Sequence, residues 1–177
     1  MSTNQLIILI SSTILIILFS WFVSLREKRY HGIPRFFVFE GLLLLGLFQW
    51  PVWFREPLAL KQIFSWLFLL TSSYYVIASV ILYHKHTRHG ANFENSTRLV
   101  TTGLYKYVRH PMYASLLFIG WGMFLKDINS ITIIIIALVT IAVFLTCKVE
   151  EKEMIKRFGE EYKNYMDKTK MWIPRVI

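Results

Sequence analysis

The sequence predicts an all-α, polytopic membrane protein: five transmembrane helices, the fourth of them short, followed by a cytoplasmic amphipathic C-terminal helix. Three observations carry this expectation. The chain of 177 residues is 55% hydrophobic and only 18% charged, where soluble domains run near 45–50% and about 25%. Its apolar residues concentrate in five stretches, 5–25, 36–54, 63–83, 111–125 and 128–147. Its basic residues are distributed unevenly between the links that join those stretches.

A spanning helix needs about 20 mostly apolar residues, at 1.5 Å each, to cross about 30 Å of hydrocarbon. Four of the stretches meet that length. The fourth, with 15 residues, reaches only about 22 Å, so it must thin the bilayer locally or begin in a buried loop. The first has a long apolar run and no small-residue cleavage site after Trp21-Phe22-Val23, and is expected to stay as a span rather than act as a signal peptide.

The net charge of +9 is explained by topology. With five spans, segments 26–35, 84–110 and 148–177 fall on one side and carry 17 of the 20 Lys and Arg, leaving Arg55, Lys61 and Lys126 on the other. The positive-inside rule places the basic side in the cytoplasm and the N-terminus outside, in a cell inner or plasma membrane. No folded domain interleaves basic residues with exposed aromatics, so nucleic acid is not an expected partner. Anionic lipid headgroups are. The single cysteine, Cys147, excludes an internal disulfide and a Cys-rich zinc cluster. His84, His86 and His89 lack Cys or carboxylate companions at ligand spacing, and no metal site is assigned to them.

The first two spans are joined by a basic turn, Arg26-Glu-Lys-Arg29, with Gly32 and Pro34 following. The segment 84–110 is long for a link within a bundle, and such segments are usually functional or disordered. Leu99, Val100, Leu104, Tyr105, Tyr107 and Val108 make it too apolar for a loose linker. After Cys147, Met154, Phe158, Tyr162 and Tyr165 share one stripe of a tail helix over 148–170, which Gly159 weakens slightly and Pro174 ends.

Two polar clusters are candidates for chemistry. In Tyr105-Lys-Tyr-Val-Arg109-His110-Pro111-Met-Tyr113, Pro111 biases His110 toward extended backbone and suits the first position of the fourth helix. Arg109 and His110 then stand at a helix N-terminus, which attracts anions. Taken blandly, Arg109 snorkels to headgroups and Tyr113 joins an aromatic belt. The second cluster, Glu150-Glu151 with Glu153 following, is by itself an ordinary solvated face. Counted from a turn over residues 126–130, however, His110 and Glu150 lie 15 and 19 residues along the two arms of a hairpin. The mismatch is about 6 Å, so both can face one cytoplasmic pocket. Glu40, inside the second span and five residues past Arg35, is expected to snorkel to the surface. Thr71-Ser-Ser-Tyr-Tyr75 is expected to bond across helices, and Gly120-Trp-Gly122 to let backbones approach.

These residues carry a resemblance. Leu99-Val-Thr-Thr-Gly-Leu-Tyr105, Arg109-His-Pro-Met-Tyr113 and Glu150-Glu151 followed by Phe158-Gly-Glu-Glu-Tyr162 resemble the isoprenylcysteine carboxyl methyltransferase family, which is related to the membrane phospholipid N-methyltransferases. The likeness covers about residues 97–174. It implies a single membrane domain over 1–177, with N-terminal spans over 1–62 and a family-like catalytic core over 63–177. It implies S-adenosylmethionine as cofactor, reached from the cytoplasm, and methyl transfer to a lipophilic acceptor held in the membrane. By position, Thr97, Arg98, Leu99, Val100, Tyr105, His110, Pro111, Met112, Tyr113 and Glu150 would contact the cofactor, while Arg109, His110 and Glu151 are the candidate catalytic residues. Gly120-Trp-Gly122 resembles the Gly-x-Gly of the phospholipid branch. Prenylcysteine enzymes place an Arg one turn before the first Glu, where this chain has Thr146. Two other readings stay open: a membrane reductase distantly related through sterol reductases, and a non-catalytic membrane subunit. Acceptor identity, oligomeric state and any general base stay open as well.

Overall fold

The computed structural model describes residues 2–86 and 99–176. Its regular elements are all helical: α1 (Thr3–Val23), α2 (Gly32–Gln49), α3 (Leu60–His86), α4 (Pro111–Phe124), α5 (Ser130–Phe158) and α6 (Glu160–Lys168), with short 3-10 turns at Leu25–Glu27, Trp50–Val52 and Gly103–Lys106. Among the described residues no strand forms. There is one isolated parallel bridge, between Val108 and Lys170.

Local chemistry explains the boundaries. Ser2 and Gln5 form a capping box for α1, and Asn129 with Thr132 does the same for α5, each satisfying amides that a helix start leaves open. Pro111 occupies the first turn of α4, where its missing N–H costs nothing. Among the described residues four helices are long and apolar enough to cross a membrane, and α4, with 14 residues, is a shorter apolar one.

The bundle is built from neighbours that are not all consecutive. α3 packs along α4, α4 against α5, α5 against α2, and α1 lies on α2. Small residues allow these approaches. A Cβ on Gly41 would stand 2.3 Å from Val139 Cγ2, and one on Gly122 would stand 2.9 Å from Leu69 and 3.2 Å from the Ser65 carbonyl oxygen. Between α3 and α4, Ser65 Oγ donates to the Gly122 carbonyl at 2.7 Å and Ser72 Oγ to the Ser115 carbonyl at 2.8 Å. Val38, Leu45, Ala114, Ile136, Val139 and Val143 form the dry centre.

Several details differ from the sequence expectation. Of the polar run in α3, only Ser72 bonds across helices, because Thr71 and Ser73 return their hydroxyls to carbonyls four residues back in their own helix. Glu40 does not extend to the surface; it accepts a hydrogen bond from Thr13 Oγ1 at 3.1 Å and ties α2 to α1. The fifth span does not hand over to a separate tail helix at Cys147. Instead α5 runs unbroken to Phe158, and Gly159, at φ +57°, breaks the path before α6. Glycine takes that conformation without steric cost.

The end of the bundle away from the two clusters is closed by Lys126, which the sequence counts as a loop charge. It is 1% exposed. Its Nζ donates to Gln62 Oε1 at 3.0 Å and lies 3.6 Å from the Trp66 ring centroid and 5.2 Å from that of Trp53. Burial pushes its ammonium pKa down. Cation–π attraction offsets part of that desolvation.

Candidate active site

At the opposite end, three separate pieces of chain come together: the turn between α1 and α2, the segment 99–110, and the region from Glu150 to Trp172. Segment 99–110 is held in place rather than free. Gly103 turns at φ +59°, with Leu82 so close that a Cβ would stand 2.6 Å from it. Tyr165 of α6 donates its hydroxyl to the Tyr105 carbonyl at 2.7 Å. The backbone beyond α6 then runs beside it. Lys170 N–H donates to Tyr107 O at 3.1 Å, Arg109 N–H to Lys170 O at 2.7 Å, and His110 N–H to Met171 O at 3.1 Å.

This pairing fixes where Arg109 and His110 point. Arg109 Nε donates to Glu151 Oε1 at 3.0 Å, and its NH1 donates to the Met166 carbonyl at 3.1 Å and to the Thr169 carbonyl. Lys148 Nζ lies 3.1 Å from the other Glu151 oxygen. Arg109 and Glu151, with side chains 11% and 4% exposed, therefore join α5, α6 and the tail to the start of α4.

His110 caps α4 and is 5% exposed. Its Nδ1 lies 3.6 Å from Glu150 Oε2 and its Nε2 lies 3.5 Å from Glu151 Oε1. Nε2 is buried and makes no hydrogen bond. Burial pulls the imidazole pKa down, but the two carboxylates outweigh it, and the net shift is upward. Burial likewise pushes the phenols of Tyr162 and Tyr165 up.

Beside this cluster is a cavity of about 1130 Å³, just above the roughly 300–1,000 Å³ usual for small-molecule sites. Of the residues singled out in the sequence, Leu99, Val100, Tyr105, Arg109, His110, Pro111, Met112, Tyr113 and Glu150 line it. Glu151 does not line it; its carboxylate turns toward Arg109 and Lys148. Thr97, Arg98 and His89 lie outside the described residues, as do the side chains of His84 and His86.

The cavity also has walls that sequence reasoning missed. Tyr162 and Tyr165 enter from α6, and the sequence had signalled them only as an apolar stripe. Phe19, Phe22 and Phe39 enter from α1 and α2 with no sequence signal beyond spanning character, and Arg35, which the sequence counts only among the basic residues of the first link, joins them. One carboxylate attaches that wall to the rest. Glu153 Oε1 accepts from the Tyr30 and His31 amides at 2.8 and 3.3 Å, and its Oε2 lies 2.6 Å from His31 Nδ1.

A helical bundle with membrane-length spans and a cavity at one polar end, lined by a helix-capping histidine and a glutamate, defines the class of the protein. A family model described as phospholipid methyltransferase matches residues 60–161, and the chain belongs to that family. It is 30% identical over 152 residues to methanethiol S-methyltransferase 1 of Bradyrhizobium diazoefficiens, covering 77% of this chain and 52% of that protein. It is 26% identical over 177 residues to methanethiol S-methyltransferase of Crocosphaera subtropica, covering 89% of this chain and 66% of that one. A shorter match of 84 residues, 34% identical, joins it to protein-S-isoprenylcysteine O-methyltransferase of Saccharomyces cerevisiae, covering 47% of this chain and 35% of the yeast protein. The chain thus spans between about half and two-thirds of the length of the first two relatives.

Proposed function

We propose that this chain is an integral membrane methyltransferase that uses S-adenosylmethionine to methylate a small or lipid-like apolar acceptor, as the names of its relatives suggest. The observation that carries the reading is a cavity in which His110 and Glu150 face apolar residues of segment 99–110 on one side and the α1–α2 wall on the other.

The residues present suit that cofactor. Its carboxylate finds the dipole and open amides at the start of α4, beside the His110 ring that lines the cavity. Its ammonium or ribose hydroxyls find the Glu150 carboxylate, 28% exposed on the cavity side. Leu99, Val100, Tyr105 and Met112 supply an apolar slot for the base. When bound, the sulfonium supplies an activated methyl group for in-line displacement.

The protein's own work is then alignment and exclusion of water. Arg109 and Glu151 hold the start of α4 rigid, Tyr165 holds Tyr105, and Tyr162 with Tyr165 covers the apolar side. A base is needed only where the acceptor arrives protonated, and His110 is the titratable group at the cavity wall that suits it. We further assign α4 as the short fourth of five spans, α6 as a cytoplasmic cover, the clustered end as cytoplasmic by the positive-inside rule, and the N-terminus as outside.

Calorimetric titration of the detergent-purified chain with S-adenosylmethionine tests this. Binding is expected, and is expected to vanish in His110→Ala and in Glu150→Ala with melting temperature retained. Undiminished binding in both variants moves the cofactor elsewhere and overturns the assignment.

A further inference from the structure

A second pocket, of about 470 Å³, lies where α5 meets the tail beyond α6. Arg109 borders both this pocket and the large cavity; the other walls, Phe144, Lys148, Asp167, Lys170 and Val176 among them, belong to the second pocket. The methyl-transfer reading makes no use of it.

Its depth is set by α5. That helix starts at Ser130, at the far end of the bundle, so Phe144 stands 14 residues along it and Lys148 stands 18, about 21 and 27 Å. The hydrocarbon layer is about 30 Å thick. The pocket therefore straddles the level at which acyl chains give way to headgroups. The tail is pinned at that level: the Trp172 indole N–H donates to Cys147 Sγ at 3.3 Å, and its ring meets Phe144 edge to face at 6.2 Å.

The two halves of the pocket suit the two sides of that boundary. Phe144 and Val176 are 40% and 70% exposed, and Ile173 beside them is 39% exposed. On the polar side, Glu151 answers Arg109 and shares its other oxygen with Lys148. Lys148 is nonetheless 45% exposed at its side chain. Lys170 is exposed, as is Asp167. Three cations against Glu151 and Asp167 leave one positive charge, and Lys168 and Arg175, both exposed, add to it on the same short stretch. A soluble anion would account for the lysines but not for the exposed apolar half. An anionic phospholipid satisfies both, with its phosphate at Lys148 and Lys170 and its chains along Phe144 and Val176.

We propose that this pocket binds the headgroup of an anionic phospholipid and thereby seats the tail against the start of α4. The link is covalently short. The backbone of Lys170, whose side chain borders the pocket, donates to Tyr107 O and accepts from Arg109 N–H at 2.7 Å, and the next residue, Met171, accepts from His110 N–H at 3.1 Å. A lipid that holds Lys170 holds the backbone of Arg109 and His110. The site stands whether or not the large cavity takes a methyl donor.

The test uses the full chain in detergent, incubated with equal amounts of phosphatidylglycerol and phosphatidylcholine of identical chains, with retained lipid measured by native mass spectrometry. The wild type is expected to retain phosphatidylglycerol at least tenfold over phosphatidylcholine. A lysine near an anionic lipid headgroup is worth roughly fivefold in affinity, so Lys170→Gln is expected to lower that retention about fivefold and Lys148→Gln/Lys170→Gln to abolish the preference. Arg26→Gln removes one exposed charge from the α1–α2 turn at the same end and is expected to change retention less than twofold. In nanodiscs, phosphatidylglycerol is expected to slow hydrogen exchange at the Arg109 and His110 amides at least threefold relative to phosphatidylcholine alone, and not to do so in Lys170→Gln. Equal retention of the two lipids by the wild type overturns the proposal. So does an Arg26→Gln loss as large as that of Lys170→Gln, which would mean diffuse charge, or displacement of the lipid by an equal concentration of glycerol 3-phosphate, which would mean a soluble-anion site. Unchanged exchange overturns the seating of the tail. Where the double variant does not fold, the wild-type comparison and Lys170→Gln still decide. Failure of S-adenosylmethionine to bind refutes the methyltransferase reading and leaves every lipid arm intact.

Discussion

Replacing Arg109 with methionine separates bracing from ligand contact. The substitution keeps side-chain length but removes the guanidinium that joins Glu151 to the Met166 and Thr169 carbonyls. Glu151, 4% exposed at its side chain, would retain only Lys148, itself 45% exposed, and the more distant His110. Removing one partner of a buried ion pair costs about 3–5 kcal/mol. At roughly 2–4 °C per kcal/mol for a chain of this size, the melting temperature is expected to fall by roughly 6–20 °C. Thermal unfolding in detergent, followed by tryptophan fluorescence, reads this directly. The double variant Arg109→Met/Glu151→Met is expected to lose less than the sum of its parts, by roughly 1–3 kcal/mol, because no buried carboxylate is stranded. A variant that melts like the wild type yet fails to bind S-adenosylmethionine would refute the bracing argument and make Arg109 a cofactor contact.

Three further expectations follow from the same geometry. The His110 imidazole is raised above its ordinary value near 6.5 by Glu150 and Glu151. Its contribution to stability is therefore full below about 6.5 and is lost as pH rises through the higher folded value; melting temperature against pH should show that decline, and His110→Gln should flatten it. Gly41→Ala pushes a methyl to within 2.3 Å of Val139 Cγ2, an overpacking worth about 1–3 kcal/mol, so its melting temperature should fall and Val139→Ala in the same chain should recover part of it. Glu153→Gln replaces charge-assisted hydrogen bonds to the Tyr30 and His31 amides with neutral ones. Hydrogen exchange at those two amides should accelerate severalfold, and unchanged protection would show that the α1–α2 turn is held by something else.

The legible part of this protein is local. Length and hydropathy announce the helices, because lipid requires every backbone group to be satisfied within its own segment. Pro111 announces where α4 starts, and the cluster around His110 and the Glu150-Glu151 pair are visible as polar residues at span ends. Gly159 is visible as a weak point, but its effect is a true break between two helices, since the backbone passes from α5 to α6 at a positive φ.

The sequence by itself determined the class of fold, the helices and the identities of the polar residues at their ends. Tertiary structure alone decided which of those residues meet. Adjacent side chains on a helix diverge by about 100°, so of the pair Glu150-Glu151 one lines the cavity and the other turns to Arg109; spacing cannot tell which, because that depends on how α5 is rotated against α2 and α4. The tail beyond α6 pairs with segment 107–110, and His31 meets Glu153 across more than a hundred residues. Lys126 is desolvated between tryptophans, and Arg35, in the sequence only a topology charge, enters the cavity wall. Each of these is a contact between segments distant in the chain, formed through packing geometry, which leaves no periodicity in the sequence to read.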